Sequence, residues 1–274
     1  MRYQVRLKQS EEGYAIWCPS LPGCWSQGDT EAEAIENIKE AIQDYLETIE
    51  ELNKALSAAD KDSGVRAVIL TGSGEKAFVA GADIKEFAHF DVEKGKELSA
   101  KGHELLFNFV EQMNTPVIAA INGFALGGGL ELAMSSHIRI ASDNAKMGLP
   151  EVSLGVIPGY GGTQRLAQLV GRGKAMEMVT TAGMIPAEEA QKWGLVNHVV
   201  PQAELLDLAH KIAGKITNNS GSAIASAIRS INANYTDGVN GFQVEVNEFG
   251  KCFGTPDFVE GTTAFIEKRK AEFK

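Results

Sequence analysis

One apolar stretch that runs into a glycine-rich turn constrains this chain more than any other segment. Residues 116–121 (Pro-Val-Ile-Ala-Ala-Ile) read as a strand apolar on both faces. Asn122 through Met134 (Asn-Gly-Phe-Ala-Leu-Gly-Gly-Gly-Leu-Glu-Leu-Ala-Met) then turns the chain into a helix starting near Gly128. A second buried-type strand, Arg66–Thr71, leads by way of a Gly-containing loop to Phe78-Val-Ala-Gly-Ala-Asp-Ile84. Helical patterns over about 93–113 separate the two, and strands and helices alternate onward, which is the pattern of a mostly parallel α/β core. After Pro201 the pattern is helical, with helices expected at Leu205–Thr217, Gly221–Ala233 and about Gly261–Phe273.

The front of the chain reads differently. Tyr3–Leu7, Tyr14–Cys18 and Cys24–Ser26 are expected as short strands joined by tight turns. Thr30-Glu-Ala-Glu33 fits a capping box, and Ile35, Ile38, Ile42, Tyr45, Leu46, Ile49, Leu52 and Leu56 follow at helical spacing, up to a stop near Asp62-Ser63-Gly64. The charge divides at the same place. Residues 1–51 hold four basic and eleven acidic side chains, a balance of −7 out of the total of −10. The acidic run reads as a solvated helix face.

Composition excludes several classes. With 274 residues, 44% hydrophobic and 23% charged, this is neither a disordered chain nor a small disulfide scaffold. Cys18, Cys24 and Cys252 are an odd number without metal-ligand spacing, and the start lacks an apolar export core, so reduced thiols and a cytoplasmic location are expected. Residues 116–134 fail as a membrane span because Asn122, Glu131 and four glycines interrupt them. A net acidic chain without a basic stripe is a poor partner for nucleic acid.

The chemistry concentrates in the glycine turns. A helix start presents unpaired N–H groups, and residues without a Cβ let a ligand oxygen approach them. Two such turns facing each other would form a hole for a negatively charged oxygen, although close helix–strand packing explains the glycines equally well. Glu131 falls in the first turn of the helix from Gly128. Glu151 stands between Pro150 and an apolar run, in Gly148-Leu-Pro-Glu-Val through Gly-Gly-Thr-Gln-Arg165. Two carboxylates in different surroundings can divide acid and base roles; a helix cap and a strand end at the surface are the plain alternative, and spacing alone does not choose. The histidines at 89, 103, 137, 198 and 210 are scattered with no nucleophile beside them, which disfavours a Ser/His/Asp hydrolase. Gly72-Ser-Gly-Glu-Lys76 reads as a surface turn.

Taken together, Arg66–Gly72, Ala80–Ile84, Asn122–Glu131 and Pro150–Arg165 resemble the crotonase (enoyl-CoA hydratase/isomerase) superfamily, nearest to its short-chain enoyl-CoA hydratases, over about residues 49–274. The resemblance implies a spiral of ββα units with a C-terminal helical region that forms trimers or a dimer of trimers. It implies an oxyanion hole from the N–H groups of Ala82 and Gly128, Glu131 as base toward water and Glu151 as the acid that protonates Cα. Gly159 would help place the water. Ala82, Asp83, Ile84 and Lys85 would bind acyl-CoA, and Phe265 and Lys268 would reach a neighbouring subunit's CoA. The substrate is a short trans-2-enoyl-CoA, with no metal or redox cofactor.

Residues 1–47 instead resemble the HicB-type antitoxin family, through Gly13-Tyr-Ala-Ile-Trp-Cys-Pro-Ser-Leu-Pro-Gly-Cys-Trp-Ser-Gln-Gly-Asp-Thr30. The Asn-Arg-Pro and Ala-Leu-Asn segments usual at a crotonase front are absent. These resemblances imply a chimera: a HicB-like β-β-β-α opening (1–47), a crotonase core (48–204) and a helical trimerisation region (205–274). In it, Arg66–Thr71 could act as the returning strand of both parents. Two other functions stay open, a non-catalytic scaffold with impaired CoA binding and a HicB-like toxin-binding module.

Overall fold

The computed structural model describes residues 6–10, 13–17, 25–28, 30–32, 50–79 and 91–273. At the front, β1 (Arg6–Ser10), β2 (Gly13–Trp17) and β3 (Trp25–Gly28) form an antiparallel sheet, with Leu7 opposite Ile16 and Trp17 opposite Trp25. The first strand runs on to Ser10, past the expected end at Leu7, and the expected start at residues 3–5 lies outside the described residues. Pairing of Ser10 with Gly13 leaves only two residues between strands, the length a tight hairpin prefers. Residues 31–32 and 50–61 (α1) are helical, and the expected continuous helix between them falls on 33–49, outside the described residues. α1 ends where the sequence indicates, with the Gly64 N–H donating to Asp62 Oδ1 at 2.8 Å.

The core is built from strand pairs whose two members enter different sheets. β4 (Val68–Thr71) and β5 (Ala77–Val79) are followed by α2 (Val92–Gly102), a π-helical turn (His103–Phe107) and α3 (Asn108–Gln112). β6 (Val117–Ile121) and β7 (Phe124–Leu126) are followed by α4 (Gly128–Ser135). β8 (Ile138–Ser142) and β9 (Lys146–Gly148) are followed by a short 3-10 turn (Glu151–Leu154) and α5 (Gly162–Thr181), which is broken at Gly171. First members pair in parallel as β4-β6-β8 and second members as β5-β7-β9. Each ββα unit therefore advances one position in both sheets, which winds the chain into a spiral. β10 (Met184–Pro186) adds antiparallel to β9, α6 (Ala187–Lys192) follows, and β11 (His198–Val200) adds parallel to β8.

β6 explains how the layers meet. All five of its residues are buried, but alternate side chains serve different cores. Val117, Ala119 and Ile121 join the main core with Leu56 of α1, Leu130 of α4 and Leu166 of α5. Ile118 and Ala120 join Ile140 and the residues Leu205 and Ala209 of α7 (Leu205–Thr217). Cutting Ile118, fully buried in this second core, to alanine would cost about 2–5 kcal/mol. α1 is docked on this body: Asn53 Nδ2 donates to the Leu105 carbonyl and Asp60 Oδ1 accepts from the Thr115 N–H at 2.8 Å. Residue 50 is thus in a helix attached to the core rather than in a loop between two globules.

Three helices follow: α8 (Gly221–Ala233), α9 (Gly241–Cys252) and α10 (Pro256–Glu267). α7 and α8 match the expected bounds. α9 was not expected, although Phe242, Val246, Phe249 and Phe253 recur at helical spacing; they are exposed here. α10 begins earlier than Gly261, capped by Thr255 with Pro256 in its first turn, and ends at Lys268 in the left-handed conformation. β4 pairs with β6, and among the described strands it does not join β1–β3, so its double use as a returning strand is not realised there. The 73–76 turn is exposed, and buried Asn122 ties it down by accepting from the Gly72 N–H at 3.0 Å and donating to the Gly74 carbonyl at 2.7 Å.

Candidate active site

The neighbours β5, β7 and β9 are parallel, so their C-terminal ends lie side by side. In open parallel sheets this edge is where ligand-binding segments gather. The end of β5 leads into residues 80–90, so the candidate positions Ala82, Asp83, Ile84 and Lys85 lie outside the described residues. The end of β7 leads into Gly127 and α4, and the end of β9 leads to Glu151. Sequence positions far apart are thus placed at one edge by sheet order.

Gly127 makes the turn into α4 with φ 52° and ψ −128°, a backbone conformation that L side chains rarely adopt. A Cβ there would stand 3.0 Å from Glu151 Oε1, so the bare backbone is also what lets that carboxyl sit against the turn. Gly129 permits a second close approach: its Cβ would lie 2.1 Å from the carbonyl oxygen of Val79, the last described residue of β5. The start of α4 is therefore pressed between the ends of β5 and β9. Its first N–H groups, that of Gly128 foremost, have no partner within the helix and carry the positive end of its dipole.

Glu131 is 1% exposed, yet its Oε1 accepts from the Tyr160 N–H at 2.7 Å and the Gly162 N–H at 2.8 Å. Gly162 opens α5, so this carboxyl sits at the N-terminal ends of two helices at once. Burial pushes its pKa above the ordinary carboxylate value, opposed by these two N–H groups and by the charge of Arg165. At Glu151 the same effect of burial meets less opposition. Its Oε2 is buried with no hydrogen-bond partner among the described residues. Burial, with the nearby charge of Glu131 as a lesser cause, raises its pKa to about 7. The site thus pairs a carboxylate supplied with donors and a carboxyl that holds its proton near neutrality.

Gly159 lies in the turn that leads to α5, and the space where its side chain would project is open. Its carbonyl accepts from Ser99 Oγ at 2.5 Å, which fastens this turn to α2. The Tyr160 ring stacks on Phe107 of the π-helical turn with centroids 4.6 Å apart. Gly128, Glu131, Glu151 and Gly159 are thus gathered at one edge. Phe265 and Lys268 are not: both are exposed at the end of α10, and no described hydrogen bond or ion pair joins them to this site. Sequence reading missed Tyr160, whose backbone N–H holds Glu131, and Arg165, whose guanidinium holds the Tyr160 carbonyl at 2.9 Å. The only signal for either was membership in the Pro150–Arg165 segment. Of the cysteines, Cys252 is a half-buried free thiol; Cys18 and Cys24 lie outside the described residues. No described helix is long and apolar enough to cross a membrane.

Comparison with known proteins agrees with this geometry. The chain is 48% identical over 227 residues to the short-chain-enoyl-CoA hydratase of Clostridium acetobutylicum, covering 82% of this chain and 87% of that one. It is 48% identical to the crotonyl-CoA hydratase of Syntrophomonas wolfei, covering 83% and 87%. A crystal structure of enoyl-CoA hydratase from Bacillus anthracis matches with a TM-score of 0.76 at 43% identity, over 84% of this chain and 89% of that one. The profile of the HicB_like antitoxin of bacterial toxin-antitoxin systems matches residues 3–67. It overlaps the profile of enoyl-CoA hydratase/isomerase, which matches residues 38–274. With most of its length matched and its spiral and strand-end site in place, this chain belongs to the enoyl-CoA hydratase/isomerase family.

Proposed function

We propose that this protein hydrates short trans-2-enoyl-CoA thioesters to 3-hydroxyacyl-CoA, with Glu131 and Glu151 dividing the proton transfers. The observation that carries the division is the contrast in their surroundings: two backbone N–H groups on Glu131, and a buried oxygen on Glu151 without a partner among the described residues. The thioester carbonyl lies at the start of α4, where the Gly128 N–H and the dipole stabilise the charge that develops as an enolate forms. Ala82 is assigned the second donor by resemblance. Glu131 takes a proton from a water held also by the Gly159 N–H, and the hydroxide oxygen bonds to C3. The electron pair of the double bond moves toward the carbonyl, and Glu151 delivers its proton to C2. The added atoms sum to one water. No metal or redox group is required, because hydrogen bonds polarise the thioester.

Crotonyl-CoA with purified protein tests this reading through loss of the conjugated-thioester absorbance. Hydration by the wild type that collapses in Glu131→Gln and Glu151→Gln supports it. A folded wild type that binds no CoA thioester and turns none over would favour a non-catalytic scaffold instead. A HicA-type toxin pull-down tests the toxin-binding alternative.

The oligomer is part of the same proposal. Phe242, Phe249, Phe253, Phe265 and Ile266 are each more than half exposed, a concentration of large apolar side chains on α9 and α10 that a monomer rarely leaves in water. A homotrimer or dimer of trimers would cover them and bring Phe265 and Lys268 toward a neighbouring subunit's CoA. A solution mass of one chain would refute it. Cys252 as a free thiol is consistent with the cytoplasm as the compartment. The overlap of the two profiles over 38–67 supports a chimera joined inside that interval, with the core and helical regions divided near 204.

A further inference from the structure

Tyr160 links the base to an ion pair that the reaction itself does not use. Its N–H donates to Glu131 Oε1, while its carbonyl accepts from Arg165 Nη1 at 2.9 Å. The Arg165 side chain is 8% exposed and its nitrogens are all engaged. Nε and Nη2 fork onto Glu111 Oε1 and Oε2 at 3.0 and 2.8 Å, and Nη2 also reaches Asn108 Oδ1 at 2.9 Å. Such a planar bidentate pair fixes direction as well as charge.

Glu111 and Asn108 belong to α3, which is itself anchored. The Glu111 carbonyl accepts from Asn232 Nδ2 of α8 at 2.6 Å and is 3.2 Å from His137 Nε2. A fixed point on α3 thus reaches through one guanidinium to the turn that carries both N–H donors of Glu131.

We propose that the Arg165–Glu111 ion pair is the positioning device for the base: by holding the Tyr160 carbonyl, it aims the Tyr160 and Gly162 N–H groups at Glu131. This rests on the hydratase reading and extends it to residues that do not touch substrate. The pair acts on Glu131 through geometry and through charge. Among the described residues, the charged or titratable groups around Glu131 include Arg165 on α5, Glu151 on the 3-10 turn and His103 on the π-helical turn, whose ring lies beside Gly161. Losing the guanidinium frees the turn and removes the positive charge, and both changes make ionised Glu131 harder to maintain.

The test is the pH dependence of crotonyl-CoA hydration by full-length Arg165→Met, Arg165→Lys and Glu111→Gln. Glu248→Gln is the comparison, because Glu248 forms an equally direct ion pair with Arg229 between α8 and α9. We expect Arg165→Met to lose kcat roughly tenfold to a hundredfold with little change in KM, and its acid limb to move to higher pH. Glu111→Gln loosens the aim but keeps the guanidinium, whose unneutralised charge opposes a limb shift, so it lowers kcat by less and moves the limb little. Arg165→Lys falls between Arg165→Met and the wild type, and Glu248→Gln lowers Tm without changing kcat or the limb. If Arg165→Met does not fold, the isosteric Glu111→Gln decides. Folded variants with the wild-type acid limb and kcat overturn the inference, as does an equal shift in Glu248→Gln. A wild type that is inactive, or that stays active as Glu131→Gln, overturns the hydratase reading instead.

Discussion

Glu131 and Glu151 are the same residue type at the ends of neighbouring strands, and their surroundings set them apart. Glu131 lies in the first turn of α4 and faces the first N–H of α5, so two helix starts and two hydrogen bonds favour its charge. Glu151 begins a 3-10 turn, has one buried oxygen without a partner among the described residues, and feels Glu131 as a like charge. Burial raises the pKa of both carboxyls, and at Glu131 the N–H groups of Tyr160 and Gly162 and the charge of Arg165 oppose it. The more deeply buried glutamate is the one better equipped to be an anion.

The most severe way to break this comparison is to remove either carboxyl. Glu131→Gln and Glu151→Gln should each lower kcat by about 10²–10⁴-fold, with far-ultraviolet circular dichroism unchanged. A loss in only one variant would mean that one group does both transfers. Next comes Gly129→Ala, where a new methyl meets the Val79 carbonyl. It should cost about 1–3 kcal/mol in urea unfolding and depress turnover by tilting α4 away from β5. Full stability in that variant would show that α4 does not depend on the close approach.

Smaller and opposite in sign is the stability effect of Glu151. Its folded pKa of about 7 lies above the ordinary value of 4.5, so the folded chain binds this proton more tightly than the unfolded one. The wild type therefore loses stability as pH rises from 4.5 through 7. Glu151→Gln should be more stable than the wild type at pH 8 by about 1–2 kcal/mol after allowance for solvent screening, and the gap should close near pH 4.5. His137 gives a weaker effect from the acid side. Its Nδ1 accepts from the Val117 N–H at 2.9 Å, and burial holds its pKa below 6.5. The stability its neutral form contributes is complete above pH 6.5 and is lost as pH falls through the lowered value. Thermal melts between pH 7 and 5 check this, and His137→Gln should flatten the slope.

The glutamates and the turn at Gly128 were legible because local pattern marks them: an apolar strand, glycines without Cβ, then a carboxylate within one helical turn. Their convergence was not legible from spacing, since it depends on β7 and β9 being neighbours in one sheet. The Arg165–Glu111 pair was missed for the same reason, being an ordinary charge pair until folding brings α3 and α5 together. α9 was missed although its apolar positions recur correctly, because the stripe faces outward and a stripe without an expected core invites no assignment. The front strands were found, and the first reaches beyond Leu7 to Ser10 because the pairing of Ser10 with Gly13 sets its end.

The pH profile of kcat/KM for crotonyl-CoA hydration tests the division of roles most directly. That division predicts an alkaline limb near pH 7, where Glu151 loses the proton it must deliver, with an acid limb from Glu131 displaced upward from the ordinary carboxylate range by burial. A rate that stays level from pH 6 to about 9, with no alkaline limb, would contradict it.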